Sequence, residues 1–497
     1  MMRLVILGAG TMGRGIAQVA AASGVPVTLV DPVAGAAERG KEDIFAAWER
    51  AERRGRLSAA DRAAHRERLE ARENLPAWAP DWVIEAVPED SALKRRVLAD
   101  VQRAYGPSLL VASNTSSLAL TSLQAGLPHP ERVGGLHFFN PVPQMALVEV
   151  ITGVLTSSDW AAAALELVRR LGKTPVAAPD RPGFLVNRIA RPYYGEALRM
   201  VDEGTASMAA VDAVMEAAGF PMGPFRLMDL VGVDVNLAVT ESVYRQTFED
   251  PRYRPHPVQV AMVQAGRLGR KSGGGFYDGP HTGGEPSLGA RAGETARGLV
   301  LGSARFRAAW AAVASEAPWT TVEDAGAGPW DWVATDGMGE DLEPWLGPGT
   351  VALVDGTRRH AAESARRLGH REVYGIDPTL ILAGSSLLTV AGPDPARVAA
   401  AIRPMRVVPV EDRLGHIFAR TVSMLAAEAL SFRPRQDPAL VDHAVRLGLN
   451  HPCGPYEWVE RLGARRLAAV LDALASVGGD RYRPGEDLRA RAEQEES

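Results

Sequence analysis

The chain has 497 residues, of which 46% are hydrophobic and 23% charged, and its formal net charge is -5. At about 100–200 residues per domain, this length predicts two to four domains, and the ordinary globular composition excludes extended disorder, collagen-like repeats and coiled-coil rods. The weakly negative net charge argues against general binding of nucleic acids or other polyanions.

The sequence gives little indication of a membrane protein or of a metal site. No apolar stretch approaches the roughly 20 residues that span a bilayer, and the opening apolar run is too short for a secretion signal. The single cysteine, Cys453, has no partner for an internal disulfide and too few histidines beside it for a structural zinc site. We therefore expect a cytoplasmic protein without a metal site and without a nucleic-acid or membrane partner.

The first 31 residues have the pattern of a dinucleotide-binding βαβ unit. Its parts are, in order, a strand run at Leu4–Leu7, the glycines Gly8, Gly10 and Gly13, a helical stretch at Gly15–Ala22, a strand run at Val25–Val30, and Asp31. In such a unit the pyrophosphate of the dinucleotide sits at the helix N-terminus and the acid binds the ribose hydroxyls. Because no arginine directly follows Asp31, the pattern favours NAD over NADP.

The α/β pattern continues to about residue 180. Further strand runs are predicted at Trp82–Val87, Leu109–Ser113, Val133–Phe139 and Leu147–Ile151. Helical stretches such as Ser91–Tyr105 separate them, and the charged segment Glu38–Glu73 is interpreted as an inserted helical hairpin. Together these elements predict a Rossmann-like NAD-binding domain over residues 1–180.

Beyond residue 180 the predicted fold changes. Residues 181–280 are predicted to form an α-helical domain for substrate binding or dimerisation, and the Gly-, Pro- and Thr-rich residues 281–296 a linker. Residues 297–410 have no glycine fingerprint, so we expect a degenerate α/β domain there. Its predicted strand runs are Val351–Val354, Thr379–Ala383 and Leu387–Val390.

The last segment, residues 411–497, repeats the helical domain. The matching parts, at offsets of 229–232 residues, are Gly183–Arg188 with Gly415–Arg420, Glu196 with Glu428, Gly223-Pro224 with Gly454-Pro455, and Arg252–Pro255 with Arg481–Pro484. In the second copy Ala419 stands at the position of Asn187. This exchange predicts that the second helical unit has kept its packing and lost a polar site residue.

A dinucleotide domain joined to a helical domain implies hydride transfer, for which His137 is the candidate base. It lies near the end of a strand run, where α/β folds place residues that face a ligand. Glu149 lies inside an otherwise apolar strand and needs a buried partner, and a carboxylate that accepts the imidazole N–H raises the basicity of the other ring nitrogen. The alternative is a satisfied core histidine beside an edge-strand glutamate.

The polar run Asn114–Ser117, which follows a predicted strand, also has two interpretations. As a helix N-cap it needs no function. It also lies where a hydroxyl group would hold both a substrate oxygen and the nicotinamide end of a cofactor.

Seven motifs lie in order between residues 8 and 277. They are GAGTMGRGIA at 8–17, EAVPE at 85–89, SNTSSL at 113–118, LHFFNP at 136–141, PGFLVNR at 182–188, GFPMGP at 219–224 and GRKSGGGFY at 269–277. Together with Glu149 they resemble the L-3-hydroxyacyl-CoA dehydrogenase family. The duplicated helical domain resembles that of long bacterial members, including those of 3-hydroxybutyryl-CoA metabolism and of phenylacetate breakdown.

The resemblance implies an NAD-dependent enzyme that oxidises an (S)-3-hydroxyacyl-CoA thioester to a 3-ketoacyl-CoA. It makes His137 the catalytic base, Glu149 its partner, Ser116 the contact to the substrate oxygen and the cofactor, and Asn187 a further polar contact. The implied NAD contacts are Gly8, Gly10, Thr11, Met12, Gly13, Asp31, Glu89, Lys94, Asn114, Ser116, Asn140 and Lys271. This set includes two of only four lysines in the chain.

Two other functions stay open on the sequence. A dehydrogenase of a non-CoA hydroxy acid, such as a sugar acid, would share the nucleotide fold and the His/Glu pair, and a non-catalytic NAD-binding protein would share the fold alone. The sequence also leaves open the acyl chain length, the pathway (fatty-acid β-oxidation or phenylacetate catabolism), the CoA-binding residues, and the choice between a homodimer and an internal pseudo-dimer.

Overall fold

The computed structural model describes residues 2–279, 296–314, 319–321, 329–402 and 405–495. The chain forms two compact units, the first comprising Met1–Arg188 with Leu447–Leu449 and the second Ile189–Arg446 with Asn450–Ser497. No helix within the described ranges is long and apolar enough to cross a membrane. The predicted linker at 281–296 lies outside them except for Ala296, and the finer division into domains stays a prediction.

The first unit is built on an eight-stranded sheet. Its strands are β1 (Leu4–Leu7), β2 (Val27–Val30), β3 (Leu69–Arg72), β4 (Trp82–Glu85), β5 (Leu110–Ser113), β6 (Val133–Phe138), β7 (Leu147–Thr152) and β8 (Thr174–Pro179). They lie in the order β3-β2-β1-β4-β5-β6-β7-β8, and every neighbouring pair is parallel except β6 with β7. The central strands are buried along their length, as expected of parallel strands covered on both faces. The predicted Rossmann-like fold is confirmed.

The helices of the first 189 residues are α1 (Thr11–Ala22), α2 (Ala36–Arg53), α3 (Ala59–Glu67), α4 (Ser91–Tyr105), α5 (Leu120–Gln124), α6 (Ser158–Arg170) and α7 (Val186–Ile189). Helix α1 begins four residues before the predicted start, because Gly10 has extended backbone angles and serves as its N-cap. The prediction that Glu38–Glu73 is only a helical hairpin is wrong. Helices α2 and α3 form the hairpin, but the segment continues into β3, which pairs with β2 and borders the sheet.

A tryptophan fixes the position of β6, the strand that carries His137. Trp160 of α6 is fully buried, and its indole N–H donates to the carbonyl oxygen of Val111 in β5 at 2.9 Å. Its ring fills the space above Gly134, where a Cβ atom would come within 2.2 Å of the indole. Because a larger residue at 134 would displace this ring, the glycine is needed for β6 to pack under α6.

Two sets of five helices at matching positions lie in the second unit, except that residues 447–449 at the end of one helix belong to the first unit. The first set is α8 (Arg191–Asp202), α9 (Met208–Ala217), α10 (Pro224–Val231), α11 (Val233–Gln246) and α12 (Pro257–Gln264). The second set is α17 (Phe418–Ser431), α18 (Pro438–Leu449), α19 (Pro455–Leu462), α20 (Ala464–Gly478) and α21 (Glu486–Gln494). The predicted duplication of the helical domain is confirmed element by element.

Between the two helical sets lies a second α/β sheet. Its strands are β9 (Gly298–Val300), β10 (Trp319–Thr321), β11 (Trp332–Ala334), β12 (Val351–Asp355), β13 (Val373–Ile376), β14 (Leu387–Ala391) and β15 (Arg406–Pro409). Its helices are α13 (Ala304–Val313), α14 (Ala361–Leu368), α15 (Pro378–Leu382) and α16 (Pro395–Ala401). The strand order is β10-β9-β11-β12-β13-β14-β15, with β13 and β14 antiparallel.

One of the predicted strands in this sheet is wrong. Of the predicted run Thr379–Ala383, the first four residues belong to α15 and Ala383 is its C-cap, whereas the predicted runs Val351–Val354 and Leu387–Val390 are strands. Pro378 occupies the first helical turn, and the carboxylate of Asp377 accepts the N–H of Thr379 as an N-cap. Because α15 is buried throughout, its apolar run carries no helical periodicity from which the sequence could distinguish it from a strand.

The second sheet repeats the order of the first, and within the described residues it contains no counterpart of β3. The strand registers superimpose Leu301-Gly302 on Leu7-Gly8 and Trp332 on Trp82. Gly302 and Gly8 share a positive φ, of 85° and 98°. The duplication therefore includes the α/β domain, which sequence reasoning missed. The glycine fingerprint is lost in the copy, where Ala304 and Arg307 stand at the positions of Gly10 and Gly13.

The two helical sets contact each other reciprocally. The hydroxyl of Tyr253 donates to Glu428, and the hydroxyl of the matching Tyr482 donates to the matching Glu196, the latter at 2.8 Å. Arg420 is buried at the same interface, with its guanidinium 2.8 Å from Glu196 and 2.7 Å from Glu203. The copies are thus arranged as a pair with approximate two-fold symmetry within one unit.

Replacing Arg420 by methionine should lower the free energy of unfolding of the second unit by on the order of 3 kcal/mol. The substitution removes the buried cation that Glu196 and Glu203 share and leaves Arg199, at 3.2 Å, as the other cation beside the buried Glu196. Losing one partner of a buried ion pair costs more than losing an exposed pair. Urea denaturation followed by circular dichroism measures the change.

The matched control is Arg489→Met, because Arg489 pairs with Asp472 at 2.7 Å on the surface, where both side chains are about half exposed. Its cost should stay below about 1 kcal/mol. Equal losses of unfolding free energy in the two variants would contradict the conclusion that the buried ion pairs of Arg420 stabilise the second unit more than an exposed ion pair does.

Candidate active site

The predicted site residues of the first unit gather at one edge of its sheet. The glycine turn follows β1, Asp31 follows β2, Glu89 follows β4, Asn114 and Ser116 follow β5, and His137 and Asn140 lie at the end of β6. These strands are parallel, so their carboxyl ends meet at the same edge, where open α/β sheets bind ligands. The topology thus collects residues that are more than a hundred positions apart in the chain.

The three fingerprint glycines meet different surroundings. A Cβ atom on Gly8 would lie 2.6 Å from the carbonyl oxygen of Ala86, and one on Gly13 would lie 1.8 Å from that of Gly8. Both positions therefore require glycine for the turn itself. A Cβ atom on Gly10 would meet no atom within 4 Å, so Gly10 leaves open space directly before α1.

This open space fits the pyrophosphate of a dinucleotide. Thr11 and Met12 form the first turn of α1, whose N-cap Gly10 offers no side-chain cap to the backbone N–H groups. Uncapped amides and the helix dipole at such an N-terminus attract anionic phosphate groups. Asp31 is positioned by the same loop, since its carboxylate accepts the N–H of Ala9 at 2.8 Å and that of Val33 at 3.0 Å.

His137 and Glu149 face each other across the antiparallel strands β6 and β7. They are directly opposite in the strand register, and Nδ1 of His137 lies 2.6 Å from Oε2 of Glu149. Both side chains are buried. The second carboxylate oxygen accepts the N–H groups of Leu185 and Val186 at 3.0 and 2.9 Å. The carboxylate is thus fully partnered, and the contact through Nδ1 leaves Nε2 as the nitrogen for a reacting group.

Aromatic rings surround the imidazole of His137. The ring of Phe139 lies 4.6 Å from it and the ring of Phe184 lies 5.6 Å from it, measured between centroids. Phe184 adopts a positive φ of 50°, within the segment whose amides bind Glu149. The apolar surroundings lower the local dielectric constant and strengthen the interaction between the imidazole and the carboxylate.

Glu89 holds the loop that contains Ser116. Its Oε1 accepts the N–H groups of Ser116 and Ser117 at 2.8 and 2.9 Å and the hydroxyl of Thr115 at 2.7 Å. Burial alone would raise the pKa of Glu89, but the Lys94 ammonium and these hydrogen bonds outweigh it, so the pKa lies below its ordinary value. Glu89 is therefore ionised at neutral pH, and Ser116 is held in place through its backbone.

The other predicted residues have separate placements. Asn114 connects the loop that follows β5 to strand β6, because its side-chain oxygen accepts the N–H of Phe138 at 2.9 Å. Asn140 is exposed just beyond β6, and Asn187 is half-buried immediately after Val186. Lys271 belongs to the second unit, where its ammonium lies 2.6 Å from Asp234, and its role toward the cofactor stays a prediction. The described ranges contain no group of three or more metal-ligating side chains placed to hold a metal ion.

Sequence reasoning assigned no role to Glu85 and Ser113, although both lie in quoted motifs. Glu85 is the last residue of β4 and is fully buried, and Ser113 donates its hydroxyl to Glu85 at 2.6 Å. The signal resembles the one that identified Glu149, namely a carboxylate in an otherwise apolar strand run. Because Glu85 has a lysine rather than a histidine as its charged partner, the pattern was not recognised.

Two family models match the chain. The model described as "3-hydroxyacyl-CoA dehydrogenase, NAD binding domain" matches residues 3–181, and the model described as "3-hydroxyacyl-CoA dehydrogenase, C-terminal domain" matches residues 183–279 and again 415–496. The second model thus recognises both helical sets.

Curated relatives agree with this match. A 3-hydroxyadipyl-CoA dehydrogenase of Escherichia coli is 36% identical over 499 residues, which cover 98% of this chain and 96% of the relative. A 3-hydroxybutyryl-CoA dehydrogenase of Mycobacterium tuberculosis is 40% identical over 279 residues, which cover 55% of this chain and 97% of the relative. The first spans both halves of the chain and the second only the first half.

Solved structures show the same division. The crystal structure of a 3-hydroxybutyryl-CoA dehydrogenase from Escherichia coli matches with a TM-score of 0.84 at 34% identity and covers 100% of this chain and 99% of that one. An (S)-3-hydroxybutyryl-CoA dehydrogenase from Ralstonia eutropha matches with a TM-score of 0.54 at 40% identity, over 56% of this chain and 100% of that one.

Two glycine substitutions in the turn should affect different properties, Gly13→Ala the stability and Gly10→Ala the binding of NAD+. Gly13→Ala places a methyl group against the carbonyl oxygen of Gly8 and should lower the melting temperature by several degrees. Gly10→Ala should leave the melting temperature unchanged and weaken NAD+ binding at least about tenfold, because the methyl group occupies the space needed for close approach of the pyrophosphate.

Thermal unfolding and calorimetric titration with NAD+ measure the two effects. An unchanged dissociation constant for NAD+ in Gly10→Ala would contradict the placement of the pyrophosphate at this turn.

Proposed function

The chain belongs to the 3-hydroxyacyl-CoA dehydrogenase family, and from this premise we propose that it oxidises the hydroxyl group of an (S)-3-hydroxyacyl-CoA to a ketone. The names of the similar enzymes support 3-hydroxybutyryl-CoA and 3-hydroxyadipyl-CoA as the candidate substrates. The observation that carries the proposal is the buried pair of His137 and Glu149 at the same sheet edge as the glycine turn. NAD+, when bound, supplies the acceptor for the hydride that leaves C3 of the substrate.

His137 acts as the general base. Its Nδ1–H is donated to Glu149, so that Nε2 carries the lone pair that accepts the proton of the substrate hydroxyl. The imidazole becomes positively charged in this step. Glu149 stabilises that charge at 2.6 Å in a site from which Phe139 and Phe184 exclude water. In the reverse direction the imidazolium returns the proton to the substrate oxygen.

Ser116 and Asn187 are proposed to bind and orient the substrate. Ser116 is half-buried, and its backbone N–H is fixed by Glu89 at 2.8 Å. Its hydroxyl donates only a long hydrogen bond of 3.4 Å to the same carboxylate, which it can exchange for one to a substrate oxygen. Asn187 lies directly after the two residues whose amides bind Glu149. A displacement of the Glu149 carboxylate would therefore also displace the backbone next to Asn187.

The second half of the chain is proposed to replace a partner subunit. The reciprocal contacts of Tyr253 with Glu428 and of Tyr482 with Glu196 support an internal pseudo-dimer of the helical domains. Of the residues that we assign to catalysis, the second half has lost the asparagine, since Ala419 stands at the position of Asn187. We therefore assign one active site to each chain.

His137→Ala should reduce kcat for oxidation of the 3-hydroxyacyl-CoA by about 10²–10⁴-fold, the contribution of a general base. Calorimetric titration should show NAD+ binding unchanged. The assay follows NADH at 340 nm with (S)-3-hydroxybutyryl-CoA and with 3-hydroxyadipyl-CoA, and the ratio of kcat/KM between them distinguishes a β-oxidation enzyme from one of phenylacetate breakdown.

The matched control is His443→Ala, because His443 is exposed on α18 and belongs to no proposed site. It should retain the wild-type rate. Turnover that persists in His137→Ala would refute the role of the base. Failure of the wild-type enzyme to oxidise either thioester, despite tight NAD+ binding, would instead favour a non-CoA hydroxy acid as substrate.

A further inference from the structure

Glu85 is a buried carboxylate that the proposed mechanism does not use. It is the last residue of β4 and is 0% exposed. Its Oε1 accepts the N–H of Val87 and lies 2.7 Å from Nζ of Lys94, and its Oε2 accepts the hydroxyl of Ser113. Every one of these partners lies at the edge of the sheet that carries the cofactor and catalytic residues.

Lys94 connects Glu85 to a second carboxylate. Its side chain, on α4, is 1% exposed, and its ammonium lies 2.7 Å from Glu85 and 3.3 Å from Glu89. It also donates to the carbonyl oxygen of Val87 at 3.2 Å. One buried cation is thus shared by two carboxylates, and its position between them depends on both charges.

Glu89 continues the connection to the loop after β5. The carboxylate that faces Lys94 through Oε2 holds the backbone N–H groups of Ser116 and Ser117 through Oε1. Glu85 also reaches the beginning of this loop directly, through Ser113. The loop is therefore held at both ends by groups that depend on Glu85.

The second half of the chain offers an internal comparison. The strand registers place Thr335 of the second sheet at the position of Glu85, just as they place Gly302 at that of Gly8. Thr335 is equally buried and bonds to Asp341, six residues ahead in its own loop. The fold thus forms without a carboxylate at this position, and the carboxylate is absent from the copy that has lost the glycine fingerprint.

We propose that Glu85 is a positioning residue for the reaction. Its carboxylate holds Lys94 in place and, through Lys94 and Glu89, it also positions the Ser113–Ser117 loop at the nicotinamide end of the NAD site. A group needed only to cap the end of β4 would require no charge, because the N–H of Val87 is satisfied by any acceptor. The charge is needed for Lys94. The expected effect of Glu85 on NAD+ binding requires only that the first domain binds NAD, whereas its expected effect on substrate turnover rests on the proposed function.

Glu85→Gln is the test, because it preserves the size of the side chain and removes its charge. Without that charge Lys94 moves toward Glu89 and draws it away from the loop. The dissociation constant for NAD+, measured by calorimetric titration, should rise about 10- to 100-fold, by analogy with residues that orient the ligands of a metal site. The value of kcat with a 3-hydroxyacyl-CoA should fall with it.

Asp377→Asn is the matched control. Asp377 is a buried carboxylate of the second sheet that accepts the N–H groups of Thr379 and Ala419. This variant should lower the melting temperature without changing the dissociation constant for NAD+. If Glu85→Gln behaved like Asp377→Asn, Glu85 would have only a structural role and the proposal would be overturned.

A double-mutant cycle gives the second measurement, which keeps the test valid if Glu85→Gln does not fold. Lys94→Met alone and Lys94→Met with Glu85→Gln are compared, and the double variant carries no unpaired buried charge at these two positions. Because Glu85 acts through Lys94, its replacement should change the dissociation constant for NAD+ less than threefold in the Lys94→Met background. A change of about tenfold or more in that background would contradict the proposal. Absence of thioester turnover in the wild type would refute the proposed function but leave these binding constants measurable.

Discussion

The carboxylate of Glu149 is the group on which the catalytic part of the chain depends. One of its oxygens faces Nδ1 of His137 and the other accepts the amides of Leu185 and Val186. A buried carboxylate is stable only when such partners satisfy it. The register of β6 with β7, the orientation of the imidazole and the path of the chain from Pro182 onward are therefore fixed by one side chain. A shift of either strand by one residue would turn its side chain to the other face of the sheet.

Local patterns were sufficient for most of the first domain. A few consecutive residues were enough to predict the glycine turn and the apolar strands. The same holds for the two polar residues within apolar strands, His137 and Glu149, which do lie together. Features that depend on distant partners were missed. Strand β3 is stabilised by pairing with β2, α15 is buried against neighbouring elements on all sides, and the buried charge of Glu85 is stabilised by Lys94 on the next helix. None of these contacts leaves a periodicity that a single sequence displays.

The duplication separates what the fold requires from what the chemistry requires. The second sheet retains the strand order, the Leu-Gly turn after its first strand and a buried tryptophan, Trp332, at the position of Trp82. It lacks the remaining fingerprint glycines and has Thr335 at the position of Glu85. The shared features are those that pack the core and form turns. Gly10 and Glu85, which we assign to the cofactor site and the reaction, are replaced by Ala304 and Thr335 in the second half.

The protonation state of His137 tests the central claim most directly. Nitrogen-15 NMR of the enzyme labelled in histidine, at about pH 8, distinguishes the two neutral tautomers of the imidazole, and the signal of His137 is identified by its absence from His137→Gln. We predict a proton on Nδ1, donated to Glu149, and a bare Nε2. A proton on Nε2 would mean that the ring has no lone pair for the substrate hydroxyl, and it would contradict the assignment of His137 as the base.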